Sequence, residues 1–222
     1  MPPHGGAPGA GPYNAVDAVK YGWTKFSQNV VPFVVLTLAM LGVAVVVNLA
    51  LSIGIGFALP RGGFSGQIAS LVSSLITTVI VWGLGIALAR GALDVVDTGR
   101  TEVGEMFTRI DWGQALVAGI LVSIAVNIGF LLLVLPGLVL AFLLSYTNLA
   151  VVDGAQAIDA IKGSYAFVTG HLAETLIYAL IGMALSILGV CTLGLGLIVI
   201  TPVVLIGLAY TWRVLQGRPV AA

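Results

Sequence analysis

Residues 157–169 read AIDAIKGSYAFVT, and a near copy, AVDAVKYGWTKFS, stands at residues 15–27. Placed on a helix, Ile158, Ile161, Tyr165 and Val168 fall at i, i+3, i+7 and i+10, which is one face of a 3.6-residue period. Val16, Val19, Trp23 and Phe26 repeat that spacing. Each copy also sets an acid and a base three apart on its polar side, Asp17 with Lys20 and Asp159 with Lys162, as exposed helices do. Both copies run into long apolar segments. A shorter third copy starts at Val103, Met106 and Ile110 and stops at Gly113, where its fourth apolar position should be. The unit this predicts is an amphipathic helix feeding two membrane spans, used three times.

Composition supports a lipid setting. Only 8% of the 222 residues are charged, 59% are hydrophobic, and the mean hydropathy is +1.11. Soluble domains carry about a quarter of their residues charged. Twenty-nine glycines suit helices that must approach closely without an aqueous driving force. The formal net charge is zero, so no electrostatic case exists for a nucleic-acid partner. A single cysteine, Cys191, excludes an intramolecular disulfide and a cysteine metal cluster. Residues 1–29 lack the apolar core of a cleaved signal peptide.

In chain order, residues 1–14 form an expected disordered, Pro/Gly-rich cytoplasmic tail, either a solvated extension or a docking segment. Residues 15–217 form the six-helix transmembrane domain, and 218–222 a short C-terminal tail. Spans are predicted at 30–59, 67–89, 112–134, 138–152, 171–188 and 195–215, because about 20 apolar residues cross a ~30 Å hydrocarbon core. Leu135-Pro136-Gly137 should reverse the chain, since one helix over 112–152 would be about 60 Å long. Pro202 should kink the last span. Putting the N-terminus inside places eight of nine Lys and Arg residues, all but Arg61, in the cytoplasm, with all nine acids. Both termini are therefore expected to be cytoplasmic, in a bacterial plasma membrane.

Candidate chemistry is sparse. His4 and His171 are the only histidines, and His171 with Glu174 at i+3 gives too few ligands for zinc. No HExxH, GxSxG or phosphate loop occurs, so no catalytic residue, cofactor site or metal site is expected. Arg90 and Asp94, four apart, can pair at the inner end of the second span. Gln67, Ser70, Ser74 and Thr77 make one polar stripe, which with Asn127 could line a solute path or pack helices. Asn48 and Asn148 are further intramembrane amides. Trp23, Phe26, Tyr165 and Phe167 are the expected interfacial anchors.

With LPGLVLAFLLSY at 135–146, AIDAIKGSYAFVTGH at 157–171 and CTLGLGLIVITP at 191–202 in this order, the chain resembles the YciC-like membrane proteins. Those are similar to the membrane domain attached to some bacterial glycerophosphoryl diester phosphodiesterases, and the Pro/Gly-rich tail resembles actinobacterial versions. The resemblance implies a six-helix membrane domain; the phosphodiesterase catalytic barrel is absent from this chain. The expected function is non-enzymatic, a scaffold or an organiser of lipid or a membrane protein complex. A transporter or flippase for an apolar or lipidic solute is the alternative.

Overall fold

The computed structural model describes residues 13–58 and 64–222, and the side chains at 44, 48, 51, 52, 54–58, 64–76 and 78 fall outside that description. The expected tail therefore lies outside the described residues except for Tyr13 and Asn14, as do the turn at 59–63 and the side chains of Asn48, Gln67, Ser70 and Ser74. Among the described residues there are nine α-helices and no strand: α1 Ala15–Gln28, α2 Val30–Ala58, α3 Phe64–Thr98, α4 Trp112–Leu132, α5 Val134–Leu143, α6 Thr147–Val152, α7 Ala157–Gly170, α8 Leu172–Cys191 and α9 Leu197–Leu215. Among the described residues, six segments are long and apolar enough to cross a membrane: Val30–Val47, Val79–Thr98, Trp112–Leu132, Val134–Val152, Leu172–Cys191 and Leu197–Leu215.

Helix starts follow local chemistry. The Asn14 side chain accepts from the Val16 amide at 2.8 Å, and Asp111 accepts from the Gln114 amide at 3.0 Å, each satisfying a first-turn donor. Asn29 separates α1 from α2 and reaches further. Its amide group donates to the carbonyls of Lys25 and Gly99, at 3.0 and 3.1 Å, and its oxygen accepts from the Thr101 amide at 3.2 Å. One side chain thus ties the α1–α2 corner to the end of α3.

Helix α3 does not stop at Ala89 as expected. It continues to Thr98, giving 35 residues and about 52 Å of length. Nothing in 90–98 breaks a helix, and Gly99, at φ 84°, is the first residue that can. All residues from Ile86 to Val96 are buried. The protein is therefore packed most densely around the last turns of α3, whereas the apolar windows of α2, α4 and α8 are only 18%, 17% and 22% buried. The expected third amphipathic copy is also corrected: Glu105–Phe107 is a 3₁₀ turn, and Met106 is its buried residue, packed on Gly91. The linker is too short of apolar positions to hold a helix against the core.

The reversal between α4 and α5 falls at Leu133, in extended conformation, three residues before Pro136. Pro136 occupies the first turn of α5, where its missing amide hydrogen costs nothing. A Cβ on Gly137 would collide with the Phe130 ring, and one on Gly129 would lie 2.9 Å from the Gly137 Cα, so both glycines permit the close hairpin.

The two opening-motif copies bury the same positions. Ala15, Ala18, Gly22, Lys25 and Phe26 are buried in α1, and Ala157, Ala160, Ser164, Phe167 and Val168 in α7, each 142 residues later. Most of these are small. Val16 and Trp23, like Ile158 and Tyr165, are exposed. The large apolar stripe seen in the sequence thus faces mainly outward, and the neighbouring small stripe faces the bundle. At Gly22 the α1 backbone meets α9, since a Cβ there would collide with the Val203 carbonyl oxygen. Ser164, at the matching position in α7, donates to the Leu143 carbonyl at 2.8 Å and accepts from the Tyr146 amide at 3.2 Å, holding the break between α5 and α6.

Candidate functional site at the charged end of the bundle

The charged ends of α3, α6 and α9 meet. Arg213, in the last turn of α9, is 2% exposed and grips Asp97 of α3 with two parallel bonds, Nε to Oδ1 at 2.8 Å and Nη2 to Oδ2 at 2.7 Å. Its third nitrogen, Nη1, donates to Oδ2 of Asp153 at 2.6 Å, just past the end of α6. Arg218 reaches the same oxygen at 2.8 Å, and the Trp212 indole at 3.4 Å. A planar, always-charged guanidinium can serve two carboxylates in fixed geometry; an ammonium cannot. Burial works against the charge of Asp153. The hydrogen bond and charge of Arg213, helped by Arg218 and Trp212, outweigh it and hold this carboxyl below the usual carboxylate range.

One turn earlier on α3 lies a second cluster. Arg90 pairs with Asp94 through Nη2 and, at 3.3 Å, through Nε, and its Nη1 donates to the Val152 carbonyl at 3.1 Å. Arg109 donates to Oδ1 of Asp94 at 2.9 Å from a residue at φ 56°, the left-handed region that side chains seldom adopt. Asp94 thus ties α3 to its own linker, and Arg90 ties α3 to α6. The Arg90–Asp94 pair expected from the sequence is formed; Arg109 and Val152 complete it.

Aromatic packing supports the same end. The rings of Tyr146, Phe167 and Trp212 pack with centroids 4.6–5.9 Å apart, linking the residue that precedes α6 to α7 and α9. The Tyr13 hydroxyl and the Thr211 hydroxyl are 2.8 Å apart. Burial, partly offset by that bond, pushes the Tyr13 phenol up to about 12, with Tyr210 and Glu174 adding to the rise. Tyr21 donates to the Ala221 carbonyl at 2.9 Å.

The other sequence candidates are dispersed. Thr77 is half-buried, and its hydroxyl has no hydrogen-bond partner among the described residues. Asn127 is exposed on α4 and donates to the Ser123 carbonyl of its own helix at 2.7 Å. Of the expected interfacial anchors, Trp23 and Tyr165 are exposed, whereas Phe26 and Phe167 are buried among neighbouring helices. The His171 ring Nδ1 lies 3.1 Å from the Phe167 carbonyl, one turn back. Lys20 and Asp17 pair at 3.5 Å on the exposed side of α1. Among the described residues, no three His, Cys, Asp or Glu side chains converge as a metal ion would need.

Two apolar grooves open on the sides. One, of about 500 Å³, runs between α5, α8 and α9 and is lined by Leu138, Phe142, Tyr178, Met183, Val204 and Leu208. The Tyr178 hydroxyl donates to the Val204 carbonyl at 2.6 Å at its base. The other, of about 580 Å³, lies between α1, α8 and α9 beside Trp23, Leu185 and Ile200.

Sequence reasoning missed the Arg213 cluster. The signal was present: Asp97, Asp153 and Arg213 each stand near the C-terminal end of an even-numbered apolar run or just past it, with opposite signs.

These features define an all-α-helical protein with, among the described residues, six segments long and apolar enough to cross a membrane, joined at one end by arginine–carboxylate pairs. Residues 58–217 match the family model described as "Domain of unknown function (DUF7847)", and the chain belongs to that family. It is similar to the uncharacterized protein Rv2560 of Mycobacterium tuberculosis, 25% identical over 229 residues that cover 94% of this chain and 70% of the relative. The uncharacterized protein Mb2590 of Mycobacterium bovis is similar to the same extent. No solved structure matches. None of these names carries the YciC-like or phosphodiesterase link that the apolar motifs suggest.

Proposed function

We propose that this chain is a non-enzymatic integral protein of the bacterial plasma membrane that organises lipid or a membrane protein complex, with both termini cytoplasmic. The observation that carries the reading is the arginine–carboxylate network. Its acids, Asp94, Asp97 and Asp153, are each bound to arginine and tie helix ends together. The eight-to-one distribution of basic residues supports the orientation. The matching burial of α1 and α7 supports a repeated unit built of an amphipathic helix on the cytoplasmic side and a pair of spans. The resemblance to YciC-like membrane proteins fits the same picture. Purification in mild detergent with quantitative lipid and protein mass spectrometry tests it. Stoichiometric lipid or a stoichiometric protein partner is the expected result, and a lipid-free, partner-free monomer would sink the reading.

A transporter or flippase for an apolar or lipidic solute is the second reading. The groove of about 500 Å³ between α5, α8 and α9 favours it, as does the Thr77 hydroxyl, which has no hydrogen-bond partner among the described residues. Reconstituted vesicles discriminate: lipid movement abolished by Ser74→Leu, with folding intact, would place this function first.

A further inference from the structure

The apolar window of α4 is only 17% buried, and its exposed side carries two neighbouring stripes of the same spacing, Val117, Leu121, Ile124, Ile128 and Leu131 in one and a mixed apolar and polar set in the other. Leu116, Ile120, Ser123, Asn127 and Phe130 are all exposed and are spaced by 4, 3, 4 and 3 residues. That is the 3.5-residue repeat along which two helices interlock, knob into hole. Beyond its first turn, the only polar side chains of α4 are Ser123 and Asn127, and both lie in this seam. Residues 128–144 contain no polar side chain, so the whole hairpin beyond Asn127 is apolar, and Asn127 lies six residues, about 9 Å of helix, before the reversal at Leu133.

Asn127 is only partly satisfied. Its amide nitrogen donates once, to Ser123, and among the described residues its oxygen accepts nothing. Hydrocarbon cannot supply the remaining partners, and a carboxamide facing lipid is costly. Two copies inserted with the same topology can pair only with their α4 helices parallel, about a two-fold axis along the membrane normal. Every seam residue then meets its own counterpart. A charge would repel itself there, but a carboxamide is self-complementary, each oxygen accepting from the other's N–H. A single asparagine in such a seam also fixes register.

On this basis, and resting on the membrane-spanning reading above, we propose that the protein forms a parallel homodimer through the α4 seam, with the two Asn127 side chains hydrogen-bonded across the axis. The test uses the full chain in its native membrane with Cys191→Ser. Single cysteines are placed in the seam (Leu116→Cys, Ile120→Cys, Asn127→Cys) and beside it (Val117→Cys, Leu121→Cys, Ile128→Cys), then oxidised with copper phenanthroline. Disulfide-linked dimer should be at least about fivefold greater at the seam positions. Asn127→Leu should lower cross-linking through Ile120→Cys by about three- to tenfold, as expected for one intramembrane hydrogen-bonded pair, with Asn127→Gln restoring it. Equal cross-linking on and off the seam, no dimer from a chain recovered in washed membranes, or a seam linked to a different protein would each overturn the homodimer while leaving the membrane reading intact. Absence of the chain from washed membranes would overturn both.

Discussion

Arg213 joins carboxylates from two other parts of the chain, so its replacement exposes what the network contributes. Arg213→Ala leaves Asp97 and Asp153 at a packed helix junction without their main counter-charge. Breaking a buried pair costs about 3–5 kcal/mol, and the loss should fall near 3 because Asp97 keeps some contact with water. Thermal unfolding in a fixed detergent measures it, and Arg213→Lys should recover only part, since an ammonium cannot reproduce the two parallel bonds. Asp153 gives the pH dependence. Its folded pKa lies below the unfolded value of 3.8, so its contribution is present above that value and disappears as pH falls through the folded pKa. Melting temperature should show an acid step below about pH 4, and Asp153→Asn should remove that step while lowering stability at neutral pH. At this scale the sequence was only half legible. Arg90 with Asp94 could be read from i, i+4 spacing, but Asp97 and Arg213 are 116 residues apart and only the packing of α3 on α9 joins them. Phe26 and Val168 close the large apolar stripe yet are buried, while Val16, Trp23, Ile158 and Tyr165 of the same stripe are exposed, because the neighbouring small residues set which side of each helix can pack closely.

Glycine positions show which element contacts are tight. Gly22 of α1 and Gly207 of α9 lie where backbones nearly touch, and a Cβ on Gly207 would be 2.9 Å from the Ala18 carbonyl. Gly22→Ala should therefore destabilise by about 1–3 kcal/mol, the usual cost of overpacking. Gly163 in α7 has nothing within 4 Å of an added Cβ, so Gly163→Ala should leave stability unchanged or raise it by up to about 1 kcal/mol through helix propensity. Paired melting curves of the two variants make the comparison. Removing the hydroxyl in Ser164→Ala should cost about 1–3 kcal/mol, because the Leu143 carbonyl and Tyr146 amide lose a shared partner. The existence of the apolar helices was readable from run length alone. Their ends were not: α3 passes through Arg90 and Asp94 without a break, because their charges are paired inside the protein instead of demanding solvent.

For the whole molecule, the arrangement of charge makes the orientation testable. Reporter fusions before Met1 and after Ala222 should both read as cytoplasmic, and one inserted at Gly62 should read as external; a split between the two termini would sink the proposed topology. The six-segment, all-helical architecture was legible because hydropathy and period are local properties. The location of the densest packing was not, since it depends on three distant helix ends arriving at one place. That convergence has a temporal side. Asp97 precedes Arg213 by 116 positions, and Asp153 precedes it by 60. At a synthesis rate of about 5–20 residues per second, the first carboxylate waits roughly 6–23 s for its partner and the second roughly 3–12 s. Closure of the bundle therefore waits on α9, and a chain stalled short of Arg213 holds two carboxylates still lacking their main counter-charge.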